Sequence, residues 1–475
     1  MENAKSIHTL TAEAVELLKE MVAIPSPSFS EDAVCTHICN WLTDKGIVYN
    51  RVGNNIIAGL SWQKASDKHP SDKYMEGHSQ NPTLMLCAHI DTVAPCEGYT
   101  FDPHNPDYTV AAEAVAKKIS DGEISADILK EHGIGNVMPE DIVAGLGSND
   151  DGASAVSMIA AFRYFGDRFF AGAQQPTKSL KRMRKNDKGD AQQPTKSLKR
   201  MRKNDKGDVY DGASERSINL CSCSANCAGM DVGEKADADC CAGMDICNLI
   251  LVLSCEEERS GLNGMTGLWS QLKDKVDYAI VGEPTGMKAA TAERGLLVID
   301  ATAHGVSGHA ARNEGINAIE IAIQDIQTLK SHTFEKVSPR MGKVNLNVTQ
   351  INAGTAHNVI PDTCTFVIDI RPTEQYTNEE ILKELQSICK SELRPRNLSN
   401  RSSATRENSR LQHTAEALGI ETFSSPTTSD WMRIDCDAIK MGPGESSRSH
   451  KKDEFVFVDE IAGGIRTYID FIENF

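Results

Sequence analysis

Two short apolar runs constrain the fold more than any other feature of the chain. LMLCAH (84–89) and NLILVLSC (248–255) are almost continuously apolar and stop abruptly at polar residues. A run too short for a helix, apolar on both faces and ending in charge, is the pattern of a parallel strand buried between two layers. Such strands carry function at their C-terminal ends. Glu256, Glu257 and Glu258 follow the second run directly. Ending a buried strand in three acids is costly unless something there needs them. Helical spacing runs through Thr11–Met21 and through Ala153–Tyr164, the latter after a glycine-rich turn.

Between about 293 and 401 the pattern changes. LLVIDATA, KVNLNVTQI and TCTFVIDI alternate as half-buried strands, with helices expected near Ala318–Leu329 and Asn378–Cys389. Strand, helix, strand, strand, helix is the order of a small α+β domain. The tail returns to α/β character and closes with a helix at Val458–Ile472. The expected architecture is a catalytic domain formed by 1–292 and 402–475, interrupted in sequence by a smaller domain at 293–401.

Two segments stand out as low-structure insertions, at about 107–142 and 171–246. The first has helical spacing around Ala111–Lys118 and Ala126–His132, and it leads toward a functional turn, so it is expected near the site mouth. The second contains AQQPTKSLKRMRKNDKGD at 173–190, repeated identically at 191–208. Each copy has six basic and two acidic residues but one Leu and one Met, too little apolar surface to offset ordering entropy. Joining a helix to the next strand, this segment belongs at the strand N-terminal ends, away from the site. A cysteine-rich stretch follows, with Cys221, Cys223, Cys227, Cys240, Cys241 and Cys247.

The net charge of −17 over 475 residues disfavours nucleic acid and anionic membranes, both of which need a basic field. No apolar run approaches the ~18 residues of a membrane span. The N-terminus lacks a basic-then-apolar export pattern. A soluble, cytoplasmic protein with reduced cysteines is expected, acting on a small molecule.

Five polar clusters sit at strand ends or in adjoining loops: His89-Ile90-Asp91, Asn149-Asp150-Asp151, Glu256-Glu257-Glu258, Glu283-Pro284 and Ser449-His450. Two imidazoles with several carboxylates suit Zn²⁺ or a similar divalent ion. A pair of ions sharing a carboxylate suits carbonyl hydrolysis, with one further carboxylate left to move protons.

In these motifs the chain resembles the two-zinc metallohydrolases that include acetylornithine deacetylase, succinyl-diaminopimelate desuccinylase, aminoacylase and carboxypeptidase G, with the acetylornithine deacetylase type nearest. The motifs are CAHIDTV (87–93), GLGSNDDGAS (145–154), SCEEERSGLNG (254–264), VGEPTG (281–286), GVSGHAARNEGINAI (305–319), INAGTAHNVIPD (351–362), DIRPTE (369–374), SPTTSDW (425–431) and GPGESSRSHKKDE (442–454). The likeness covers roughly 1–106, 143–170 and 247–475.

The resemblance implies an α/β fold: a zinc-peptidase-like catalytic domain with a mixed central sheet, plus an inserted ferredoxin-like dimerisation (lid) domain. It implies a homodimer that hydrolyses the amide of an N-acyl amino acid. N-acetylornithine, or N-acetyl- or N-succinyl-citrulline, in arginine biosynthesis is the expected case. It implies two zinc ions, with Co²⁺ or Mn²⁺ as substitutes. His89, Asp150 and Glu283 would hold one ion and His450, Asp150 and Glu258 the other, Asp150 bridging; the pairing of terminal ligands stays open. Asp91 would fix the His89 ring through its other nitrogen, and a cis peptide would follow Asp150.

Aligning on Asn263-Gly264 makes Glu257 the base and Glu258 the ligand; a shift of one residue gives Glu256 and Glu257 instead. His309 would stabilise the oxyanion in a partner's site, and Arg371 and Asn358 would hold the substrate carboxylate. A dipeptidase or carboxypeptidase with the same centre is an alternative. So is an inactive scaffold carrying the cysteine-rich insertion, although its cysteine spacing does not match a structural zinc site.

Overall fold

The computed structural model describes residues 2–60, 81–104, 108–124, 137–173, 247–312 and 314–475. The two apolar runs are adjacent central strands. Thr83–His89 pairs in parallel with Asn248–Ser254 on one side and with Tyr278–Val281 on the other. Asp437–Lys440 extends the parallel set beside Tyr278–Val281. Antiparallel strands complete a nine-stranded mixed sheet, with Asn55–Leu60 and Tyr49–Val52 at one edge and Ala289–Glu293 near the other.

Both faces are covered, which is why the central strands are apolar throughout. Leu84, Leu86 and Ala88 pack with the helices Glu2–Val22, Asp32–Asp44, Ala153–Ala173 and Val458–Asn474. Met85 and Cys87, pointing the other way, pack with Met265, Leu268 and Trp269 of the Met265–Leu272 helix and with Trp431. The helix expected at Thr11–Met21 is the core-facing part of a longer one, and Ala153–Ala173 likewise runs beyond Tyr164.

A second sheet has its own core. Its order is Asn345–Ala353, Thr363–Arg371, Leu297–His304, Glu392–Pro395, all antiparallel. Leu297, Ile299, Ala301 and Ala303 alternate inward against the helices Ala318–Ser331 and Asn378–Ile388. In chain order this is the βαββαβ arrangement of a ferredoxin-like unit. Thr377 caps the second helix by accepting the Glu380 amide, while Glu380 accepts the Thr377 amide in return.

The expectation of low structure over 107–142 needs correction. Tyr108–Ser120 is a helix, and its apolar positions Ala111, Val115 and Ile119 are buried against a two-stranded ribbon, Ile142–Ala144 paired with Phe455–Phe457. Alanines and valine at helical spacing give it a face that a low-structure loop would leave in water. The helical spacing at Ala126–His132 lies outside the described residues, as do the repeat beyond Ala173 and the cysteine-rich stretch up to 246. The described cysteines, Cys247 among them, are all free. Among the described residues no helix is long and apolar enough to cross a membrane.

Candidate metal centre

Parallel strands place their C-terminal ends side by side, and here those ends carry the polar clusters. His89 ends one strand, Cys255–Glu258 leave its neighbour, and Gly282-Glu283 leave the strand on the other side. Asp150 arrives from the short Ile142–Ala144 strand through a buried turn over Ser148–Gly152. Gly147 in that approach has φ +80°, and a Cβ there would lie 2.6 Å from Thr92 Cγ2, so glycine is required twice over. The Asp150–Asp151 peptide is cis, as the resemblance implies.

Asp150 stands between the two histidines. Its Oδ1 is 3.2 Å from His89 Nε2 and its Oδ2 is 3.5 Å from His450 Nε2. His450 Nε2 is also 2.9 Å from Glu258 Oε1. Candidate ligand atoms of His89, Asp150 and Glu258 lie within 4.8 Å of one another, and so do those of His89, Glu257 and Glu283. Of the sequence-expected residues, His89, Asp150, Glu257, Glu258, Glu283 and His450 therefore come together.

The surroundings fix this arrangement. His89 Nδ1 lies 2.9 Å from the main-chain oxygen of Asp91, whereas the Asp91 carboxylate is 3.6 Å away. The Asp91 contact to the ring's other nitrogen is thus through its backbone oxygen. Its carboxylate accepts the Ser28 hydroxyl at 2.7 Å and the amides of Glu257 and Glu258 at 3.0 and 3.1 Å. Glu256 is differently engaged: Asn263 donates from its backbone and side-chain nitrogens to both Glu256 carboxylate oxygens, at 3.0 and 2.7 Å.

The electrostatics suit divalent cations. Burial, followed by the charge of Asp150, pushes the Glu283 carboxyl well above the usual range. Burial does the same to Glu257, with Asp430 and Glu258 adding to it. Asp150 goes the other way, because its hydrogen bond and charge interaction with His89 overcome its burial. His450 is pushed up to about 9 by its bond to Glu258. Carboxylates and imidazoles converging at these distances, with acids too buried to ionise readily alone, form an N/O donor set that fits a zinc-like ion.

Three sequence-expected residues are not in this cluster. His309 is exposed on a small ribbon, Gly308–His309 paired with Val359–Ile360, where its Nδ1 accepts the Ala311 amide at 3.2 Å. Asn358 adjoins it and accepts the Ala310 amide through its backbone oxygen. The Arg371 guanidinium forms two bonds to Asp369 on its own strand, at 2.9 and 3.1 Å.

Two residues were missed. Glu454 accepts the amides of Gly147, Asn149 and Asp150 on one oxygen, at 3.1, 2.9 and 3.0 Å. Asp430 accepts the Ser254 hydroxyl at 2.6 Å beside the glutamate triplet. Both lie inside motifs quoted above, but bonds to distant backbone and hydroxyl groups leave no local spacing to read.

Comparison with known proteins agrees with the resemblance. Residues 291–397 match the M20 peptidase dimerisation domain. The chain is 29% identical over 235 residues to acetylornithine deacetylase of Myxococcus xanthus, covering 45% of this chain and 61% of that protein. It is 30% identical over 151 residues to succinyl-diaminopimelate desuccinylase of Psychromonas ingrahamii, covering 30% of this chain and 40% of that protein. The chain thus spans less than two thirds of either relative. Among solved structures it resembles aminopeptidase PepT of Bacillus cereus, with TM-score 0.59, 14% identity and 98% of each chain covered. It also resembles the YXEP protein of Bacillus subtilis, described as a dinuclear metal binding peptidase of the M20 family, with TM-score 0.57, 12% identity and 98% of each chain covered. At such identities these structures speak to fold. The chain has the M20 peptidase fold with an M20 dimerisation domain.

Proposed function

We propose that this M20-type chain is a metal-dependent amidohydrolase that cleaves the amide of an N-acyl amino acid, N-acetylornithine foremost, in arginine biosynthesis. The observation that carries the reading is Asp150, with one carboxylate oxygen toward each of His89 and His450 and with Glu258 and Glu283 close by. In this reading the catalytic unit is 1–292 with 402–475, and 293–401 is a dimerisation and lid domain.

His89, Asp150, Glu258, Glu283 and His450 hold two divalent ions, zinc in the first instance. When bound, such ions polarise the attacking water and the amide carbonyl. Glu257 takes the proton as water adds to the carbonyl carbon, and returns it to nitrogen as the carbon–nitrogen bond breaks, leaving a carboxylic acid and an amine, which exchange a proton in water to become carboxylate and ammonium. The choice of Glu257 over Glu256 is supported by the engagement of both Glu256 oxygens with Asn263. His309 of a second copy donates to the oxyanion. Asn358 and Arg371 hold the substrate carboxylate, Arg371 exchanging Asp369 for the substrate. Asp91 keeps His89 and the 257–258 turn in register.

A panel of N-acetyl, N-succinyl and N-formyl amino acids and dipeptides, assayed before and after chelation, tests this. Chelator-sensitive release of amine from N-acetylornithine is expected. Hydrolysis of dipeptides alone would move the chain to the peptidases, and no hydrolysis of any member would remove the proposal.

A further inference from the structure

The Tyr108–Ser120 helix has no part in the proposed chemistry, yet it covers the ribbon from which both ends of the site emerge. Val115 and Ile119 are buried with Ile142, Ala144, Phe455 and Phe457. Ala144 pairs with Phe455 in this ribbon. One strand runs on into the Asp150 turn, and the other begins directly after Glu454, at the end of the loop bearing His450.

That loop has two non-glycine residues in the left-handed region, His450 at φ 58° and Asp453 at φ 57°. Such backbone persists where its surroundings over-determine it. Asn149 grips the front of the loop, accepting the Glu445 amide at 2.9 Å and donating to Ser449 Oγ at 3.3 Å. Asp453 secures the back. Its buried carboxylate accepts the backbone amide and hydroxyl of Thr100, at 2.8 and 3.0 Å, and forms an ion pair with Lys118 in the last turn of the covering helix. The next residue, Glu454, gathers the amides of Gly147, Asn149 and Asp150. From Lys118 the path runs through Asp453 to its chain neighbour Glu454 and on to the Asp150 and Asn149 amides, and from the Asn149 side chain to Ser449, the residue before His450.

We propose that Lys118, acting through Asp453, is a positioning residue that holds His450 opposite Asp150, and that the 108–120 helix is a buttress for the metal centre. This rests on the metal reading above.

The test is equilibrium zinc binding by the full chain, read with a competing chromophoric chelator, together with thermal unfolding. Lys118→Met is expected to weaken binding of one ion about tenfold or more, the range seen when groups behind metal ligands are removed. Lys118→Arg should restore it, and Lys117→Met, on the exposed side of the same helix, should leave it unchanged. Asp453→Asn should reproduce the Lys118→Met effect and decides the matter if Lys118→Met does not fold. Folded variants that bind both ions as the wild type does, whatever their melting temperature, overturn the inference alone. A wild-type chain that binds no ion overturns the metal reading and this inference together.

Discussion

Glu258 Oε1 lies 2.9 Å from His450 Nε2, although 192 residues separate them in the chain. The backbone amides of Glu257 and Glu258 are both held by Asp91, so these neighbouring glutamates share one anchored turn while facing different tasks. Their substitutions should therefore separate. Glu258→Ala should lower bound metal, measured by elemental analysis after gel filtration. Glu257→Gln should keep the metal and lower kcat by roughly 10²–10⁴-fold, the usual share of a general base. Retained turnover in Glu257→Gln would move the base to Glu256.

Asp91 offers a different separation. The His89 ring contacts the Asp91 main chain, which substitution leaves in place, whereas the carboxylate receives two amides and the Ser28 hydroxyl. Asp91→Asn should therefore leave His89 able to bind metal but loosen the 257–258 turn. A fall in kcat of roughly 10–100-fold is expected, with metal content near wild type. Steady-state kinetics alongside metal analysis checks both halves.

The acids around the site set the pH response of the metal-free chain. Burial pushes the Asp151 and Glu454 carboxyls up to about 8 and the Asp430 carboxyl up to about 6. His450 is also raised, to about 9. In every case the folded chain keeps a proton that the unfolded chain releases, so stability is fully present below the unfolded pKa and is lost as pH rises toward the folded one. The melting temperature of metal-free protein should fall between about pH 5 and 9. Added Zn²⁺ should raise it most at the alkaline end, where the carboxylates are ionised and unpaired. Thermal scans across that range read the effect, and a metal-free Tm climbing with pH contradicts it.

Behind Glu283, whose carboxyl feels the Lys440 charge, Lys440 and Glu293 form a fully buried ion pair at 3.0 Å. Glu293 also accepts Ser403 and Ser429, and Lys440 donates to the Thr427 backbone oxygen at 3.0 Å. Lys440→Met strands a buried carboxylate and should destabilise the chain by about 3–5 kcal/mol. Urea denaturation at neutral pH measures it, and Lys440→Met with Glu293→Gln should recover part of the loss.

Much of this was legible in the sequence, and the reason is physical. Residues at or just beyond the ends of buried parallel strands, such as His89 and the glutamates 256–258, advertise themselves because charge after an apolar run is costly. Asp150 came from the resemblance carried by GLGSNDDGAS, since glycines before an acid fit a helix N-cap equally well; that Gly147 adopts φ +80° beside Thr92 is seen only in the fold. Alternation in 297–304 and 363–371 marked the second sheet, whose inward positions are buried. What could not be read depends on distance. Glu454 matters because the Phe455–Phe457 strand pairs beside the Asp150 turn, and no spacing announces that pairing. The 108–120 helix was visible as a periodicity, but its burial depends on a ribbon built from residues 142–144 and 455–457. The helices at 2–22 and 153–173 also exceeded the apolar stripes that revealed them, because backbone hydrogen bonding continues beyond the last core contact.

Anomalous diffraction from crystals grown with Zn²⁺ tests the central claim most directly. Two peaks are expected, on either side of the Asp150 carboxylate, one beside His89 and the other beside His450. Peaks elsewhere, or none within reach of both imidazoles, would contradict it.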